Sequence, residues 1–92
     1  MLPISQLDAL PKISGIYRVL DAGGEVIYVG QAKNIHERWN NGHHKLGKII
    51  AEHGVEACID WVFIPDWLLN RAENAAVSFY RPKFNAKTPP VV

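Results

Sequence analysis

The 92-residue chain contains a single cysteine and a single methionine. With only Cys58, no internal disulfide and no cysteine-pair metal site can form; its place inside an apolar run leads us to expect a reduced, buried thiol, which has no reason to ionise and so makes a poor nucleophile. Long hydrophobic runs are absent too: nothing approaches the roughly 18 to 20 apolar residues of a membrane span, and Met1-Leu2-Pro3-Ile4-Ser5 lacks a basic stretch leading into an apolar one. A soluble, intracellular, cytoplasmic protein is therefore expected, with no membrane partner. No repeat or low-complexity tract is visible. At 48% hydrophobic residues, the chain can fill one core but not two, so residues 1–92 read as a single domain.

Excess charge of one sign is also missing, since the formal net charge is +1. Its distribution is uneven. Residues 31–53 hold Lys33, Arg38, Lys45 and Lys48 against Glu37 and Glu52, together with all four histidines, His36, His43, His44 and His53. Such a strip suits contact with phosphates, or is an ordinary solvated helical face. Adjacent His43 and His44 do not suit zinc, because neighbouring side chains rarely chelate one ion together and no His-x-x-x-His spacing accompanies them.

Pro3 and Pro11 argue against a continuous helix in the leading segment. Strands are expected near 15–20 and 25–29, around the turn Asp21-Ala22-Gly23-Gly24. A helix should start at Asn34, whose side chain with Glu37 three residues on resembles a capping box, and end near Asn41-Gly42. A second helix near 44–53 places Leu46, Ile49 and Ile50 on one side, with Gly54 as its stop. The run 57–64, Ala-Cys-Ile-Asp-Trp-Val-Phe-Ile, suits a central strand. The last helix should run from a cap at Asp66 to about Tyr80, its apolar stripe formed by Leu68, Leu69, Ala72, Ala75, Ala76, Phe79 and Tyr80, with Glu73 on the border. A carboxylate at such an edge calls for a cation, a metal or a hydrogen-bond donor. Beyond Pro82 the chain reads as extended, with Phe84 as an anchor, Asn85 free to hydrogen-bond its surroundings, and further proline at Pro89-Pro90.

The hairpin carries the most information. A two- or four-residue loop within 21–24 would set Tyr17 directly opposite Tyr28 on one face. Gly15 and Gly30, each bordering a tyrosine run, would let a ligand or another backbone come close. The pair alone reads first as a stiffening aromatic contact of the sheet, and the two glycines are what turn the reading toward a site.

Taken together, Gly15-Ile16-Tyr17, Tyr28-Val29-Gly30, Ala32-Lys33-Asn34-Ile35, Arg38, Glu73 and Arg81-Pro82-Lys83-Phe84-Asn85 resemble the GIY-YIG nuclease family across residues 14–88. The wording is nearest to the excision-repair branch, which generally carries lysine where this chain has Gln31. The resemblance implies an α+β fold with a three-stranded antiparallel sheet flanked by helices. It implies a metal-dependent endonuclease acting on DNA with a single divalent ion, Mg²⁺ or Mn²⁺, held by Glu73. Arg38 would stabilise charge on the phosphate, Tyr17 or Tyr28 would serve as general base, and His43 or His44 would partner the tyrosine or touch the phosphate. Gly30, Lys33, His44, Lys45 and Asn85 would support the site or meet the nucleic acid. So short a chain leaves little room for reading a long sequence, so a structure-directed target is expected, with help from a partner protein or an oligomer. Two other readings are a binding module weakened in catalysis by Gln31, and a protein-interaction domain using exposed Trp39 or Trp67.

Overall fold

The computed structural model describes residues 1–85. The Pro89-Pro90 reading and the last residues of the expected motif span lie outside the described residues. Four strands, β1 (Leu2–Pro3), β2 (Gly15–Leu20), β3 (Val26–Ala32) and β4 (Cys58–Phe63), form one antiparallel sheet in the order β1-β4-β2-β3. The sheet thus has one strand more than the expected three. β1 pairs through two residues, Leu2 with Ile59 and Pro3 with Cys58. A two-residue strand has no periodicity to read, and proline is tolerated there because the strand lies at the sheet edge.

The hairpin register departs from expectation by two residues. Tyr17 lies opposite Gly30, and Tyr28 opposite Val19. The loop has three residues rather than two or four: Gly24 takes φ 86°, and Asp21 donates its N–H to the Glu25 carbonyl at 2.9 Å while its carboxylate accepts from the N–H groups of Gly23 and Glu25. A bulge between Val19 and Leu20 then adds one more residue on β3. An even shift preserves the face, so both tyrosines still point to the same side, diagonal to one another.

Three helices cover the sheet: α1 (Ile35–Asn40), α2 (Leu46–His53) and α3 (Leu69–Tyr80). Asn34 caps α1 by accepting from the Glu37 N–H at 3.1 Å, and Gly54 ends α2 with φ 64°. With the 3-10 turn Ile4–Ala9, α1 and α2 enclose a core containing Tyr17, Val19, Tyr28, Ile35, Trp39, Ile49, Ile59 and Phe84. On the opposite face, Leu69 and Val77 of α3 pack on Ile16 and Val29.

Four local expectations are corrected. The stripe of α3 runs through Leu69, Ala72, Ala76 and Val77, whereas Leu68, Ala75, Phe79 and Tyr80 are exposed. A 3-10 turn at Asp66–Leu68 precedes the helix and takes Leu68 off its face, so Asp66 is not its cap. Trp39 is only 1% exposed, because the six-residue α1 presses it onto the sheet; Trp67 is 76% exposed. Cys58 is half-buried rather than buried, lying where β4 meets the two-residue edge strand.

Arg18 and Asp60, directly opposed on β2 and β4, form an ion pair through both carboxylate oxygens, and Arg18 also donates to the Tyr80 hydroxyl at 2.9 Å. This clamp ties the end of α3 to the sheet, and the carboxylate pushes the Arg18 pKa up. Sequence reading missed it because a cross-strand pair is invisible until the register is known.

Candidate active site

Both tripeptide glycines answer to close approach. A Cβ on Gly15 would stand 2.2 Å from the Val62 carbonyl oxygen, so that glycine admits the β4 backbone. A Cβ on Gly30 would stand 2.4 Å from the Tyr17 hydroxyl, so this one admits a side chain of the chain itself. The Tyr17 ring lies across the bare backbone of Gly30 toward the free edge of β3. Tyr28 follows at a ring-centroid distance of 6.2 Å.

That free edge is occupied by the chain's own groups. Phe84 donates its N–H to the Ile27 carbonyl at 3.0 Å. The Asn85 side chain accepts from the Val29 N–H at 3.0 Å and donates to the Val29 carbonyl at 2.7 Å, pairing with the strand as another strand would. Asn85 therefore reaches the backbone of the second tripeptide. Burial of Phe84 fixes the segment that carries it.

His43 is 4% exposed and both ring nitrogens are engaged. The backbone N–H of Lys45 donates to Nδ1 at 3.1 Å, so the ring proton resides on Nε2, which sits 3.0 Å from the Tyr17 hydroxyl oxygen. Burial, reinforced by the positive charges of Arg38, His44 and Lys45, lowers its pKa from 6.5 to about 3. Of the two adjacent histidines, His43 meets the tyrosine, while exposed His44 accepts a long hydrogen bond from Arg38, 3.5 Å at Nδ1.

The remaining acid and phenols share one electrostatic environment. Burial pushes the Tyr17 pKa far up, the neighbouring Tyr28 adds to this, and Arg38 opposes it. Burial also raises Tyr28, against the pull of Arg38 and of the Tyr17 hydroxyl. Glu73, half-buried on α3, is raised by burial and drawn back by hydrogen bonding from the side chain and backbone of Gln31 and by the charge of Arg38. Gln31 also donates to the Asn70 side chain at 2.6 Å, linking β3 to α3. Thus Tyr17, Tyr28, Arg38, His43 and Glu73 come together at one edge of the sheet. Lys33 stands off this centre, in an open groove of about 360 Å³ lined also by Asn34, Glu37, Arg38 and Asn41. Lys45 is half-buried and meets the site through its backbone. Neither Gln31 as a partner of Glu73 nor Trp39 as the wall behind His43 was expected; both depend on α3 and α1 packing against β3.

Among the described residues, no group of three or more His, Cys, Asp or Glu side chains gathers. The donors at the centre are a carboxylate and phenolic oxygens. A half-buried carboxylate raised by burial gains from a cation, and a lone hard oxygen ligand fits an ion that keeps most of its water.

Comparison with known proteins bears on the family and the fold. The family model described as the GIY-YIG catalytic domain matches residues 13–85. UvrABC system protein C from Francisella philomiragia and from Francisella tularensis subsp. novicida are each 38% identical over 87 residues, which is 88% of this chain and 14% of theirs. The chain therefore spans about one seventh of the length of these relatives. Among solved structures, the GIY-YIG N-terminal endonuclease domain of UvrC from Thermotoga maritima, bound to magnesium as its catalytic divalent cation, superposes with a TM-score of 0.72 at 23% identity, covering 89% of this chain and 93% of that one. A point mutant of the same domain, with one tyrosine replaced by phenylalanine, gives the same score over 90% of this chain.

Proposed function

Because the chain belongs to the GIY-YIG family and constitutes an endonuclease domain of it, we propose that it hydrolyses DNA phosphodiesters at the β3 edge, with structure rather than long sequence directing the cut. The observation that carries this reading is the convergence of two phenols, a guanidinium and a single half-buried carboxylate at that edge.

Glu73 would hold one divalent ion, Mg²⁺ or Mn²⁺, which when bound supplies positive charge to the phosphate oxygens and acidity to a coordinated water. Arg38, exposed beside both tyrosines, meets the phosphate through its planar fork and stabilises charge that grows there during the displacement. Gln31, through its N–H groups, orients the Glu73 carboxylate.

The tautomer of His43 divides labour between the tyrosines. Nε2–H donates to the Tyr17 oxygen, and the low pKa of the ring prevents it from taking a proton. Tyr17, the more deeply desolvated phenol, keeps its hydroxyl hydrogen and turns it toward Tyr28. Tyr28 is then the group that removes the proton from the attacking water, its phenolate supported by Tyr17 and Arg38. Asn85 holds Val29, and with it the neighbouring Tyr28, in place.

Few cations line the site, so few phosphates are neutralised and binding should weaken as salt rises; loading by a partner protein or by a second copy would compensate. The test is nicking of supercoiled plasmid and cutting of branched oligonucleotides with Mg²⁺ or Mn²⁺, for the parent and for Glu73→Gln, with folding of both checked by circular dichroism. Metal-dependent cutting that disappears in the variant is expected. A folded parent that leaves every DNA intact with either ion would overturn the reading.

A further inference from the structure

The two histidines do more than flank the tyrosines. The rings of Trp39 and His43 stack at 3.9 Å with planes 9° apart, and those of His43 and His44 follow at 4.9 Å and 12°. The series passes from a wholly buried indole, through an imidazole pinned at both nitrogens, to an exposed imidazole. Tyr17 and Tyr28 meet the middle ring edge-on, at 5.9 and 5.4 Å and 81° in each case, which holds it against tilting. Beside the last ring stands Arg38, which donates to Nδ1 of His44 at 3.5 Å and continues into the groove that Lys33 also lines.

An exposed flat ring, braced from behind and set next to a guanidinium, has the chemistry of a nucleobase seat: the ring offers a π face and the cation takes the phosphate of the same nucleotide. A base inside a duplex has both faces covered by its neighbours and cannot use such a seat. We infer that His44, backed by His43 and Trp39, is a stacking platform for one unpaired nucleobase adjacent to the phosphate held by Arg38. The proposal rests on the endonuclease reading for the identity of the ligand, and it names the structure that the site selects: DNA with an unpaired nucleotide, as in a flap, bulge or single strand. Any of the four bases fits, because stacking asks only for a π face.

The experiment uses the intact protein in EDTA, so that nothing is cut. Two probes are compared by titration: a fully paired hairpin, and the same hairpin carrying a three-nucleotide flap of 2-aminopurine, whose fluorescence falls on stacking. The parent is expected to prefer the flap and quench it. His44→Ala should lose about tenfold of that preference, the range for removing one aromatic platform, and most of the quench, while His44→Phe should keep both.

Equal affinity of the parent for the two probes would overturn the platform, as would an unchanged quench in His44→Ala or a His44→Phe variant that behaves like His44→Ala. Cutting assays on the same probes separate this from the previous reading. A parent that cuts with Mg²⁺ but shows no flap preference overturns the platform alone. Preference and quench without any cutting uphold the platform and overturn the endonuclease.

Discussion

Acidification should destabilise this protein through one buried imidazole. The folded state holds His43 neutral, with its pKa lowered from 6.5 to about 3, so between these values the unfolded chain binds a proton that the folded chain refuses. Stability then rises with pH across that window: the contribution is fully present above about 6.5 and is lost as the pH falls toward 3. At pH 4.5, two units below the unfolded value and still above the folded one, the loss is about 3 kcal/mol at one pKa unit per 1.4 kcal/mol. Local relaxation around a protonated ring trims this to about 2 kcal/mol. Glu73 works in the opposite sense, since burial raises its pKa and its protonation on acidification favours the folded state. A comparison with His43→Gln removes this and all other shared titrations. Urea unfolding at pH 7 and 4.5 should show the parent losing about 2 kcal/mol more than the variant between the two conditions. Parallel losses in parent and variant would refute the buried neutral imidazole, and with it the tautomer argument for Tyr17.

Other outcomes follow from the same contacts. Gly30→Ala places a Cβ 2.4 Å from the Tyr17 hydroxyl; the ring must shift, lowering stability by about 1–3 kcal/mol and cutting rate on the order of a hundredfold, so calorimetry and plasmid nicking should diverge. Asn85→Ala strips both side-chain bonds from Val29 and should cost about 1–3 kcal/mol by urea unfolding, since the outward N–H and C=O of β3 lose their partners. The logarithm of the cleavage rate should climb with pH by about one per unit through neutrality, because burial raises the Tyr28 pKa beyond that of a free phenol and its base form is scarce at these pH values. A flat profile from pH 6 to 9 would remove Tyr28 from that role.

The sequence by itself determined whatever depends on neighbours along the chain. Asn34 capping, the Gly54 stop, the three helices and the three long strands each follow from a few adjacent residues, and the resemblance carried by the tripeptides, Arg38 and Glu73 already named the family. Tyr17 and Tyr28 share a face because alternation along strands survives any even change of register, even though the Gly24 turn and the bulge displaced the pairing by two. Only tertiary structure decided the rest. β1 exists because β4 offers it an edge, Trp39 is buried because the short α1 is pressed onto the sheet, and the face of α3 is set by Ile16 and Val29 beneath it. The contact of His43 with Tyr17, the grip of Asn85 on Val29 and the Arg18–Asp60 clamp join residues 26, 56 and 42 positions apart. Such contacts are set by where whole elements pack, a quantity no local window contains.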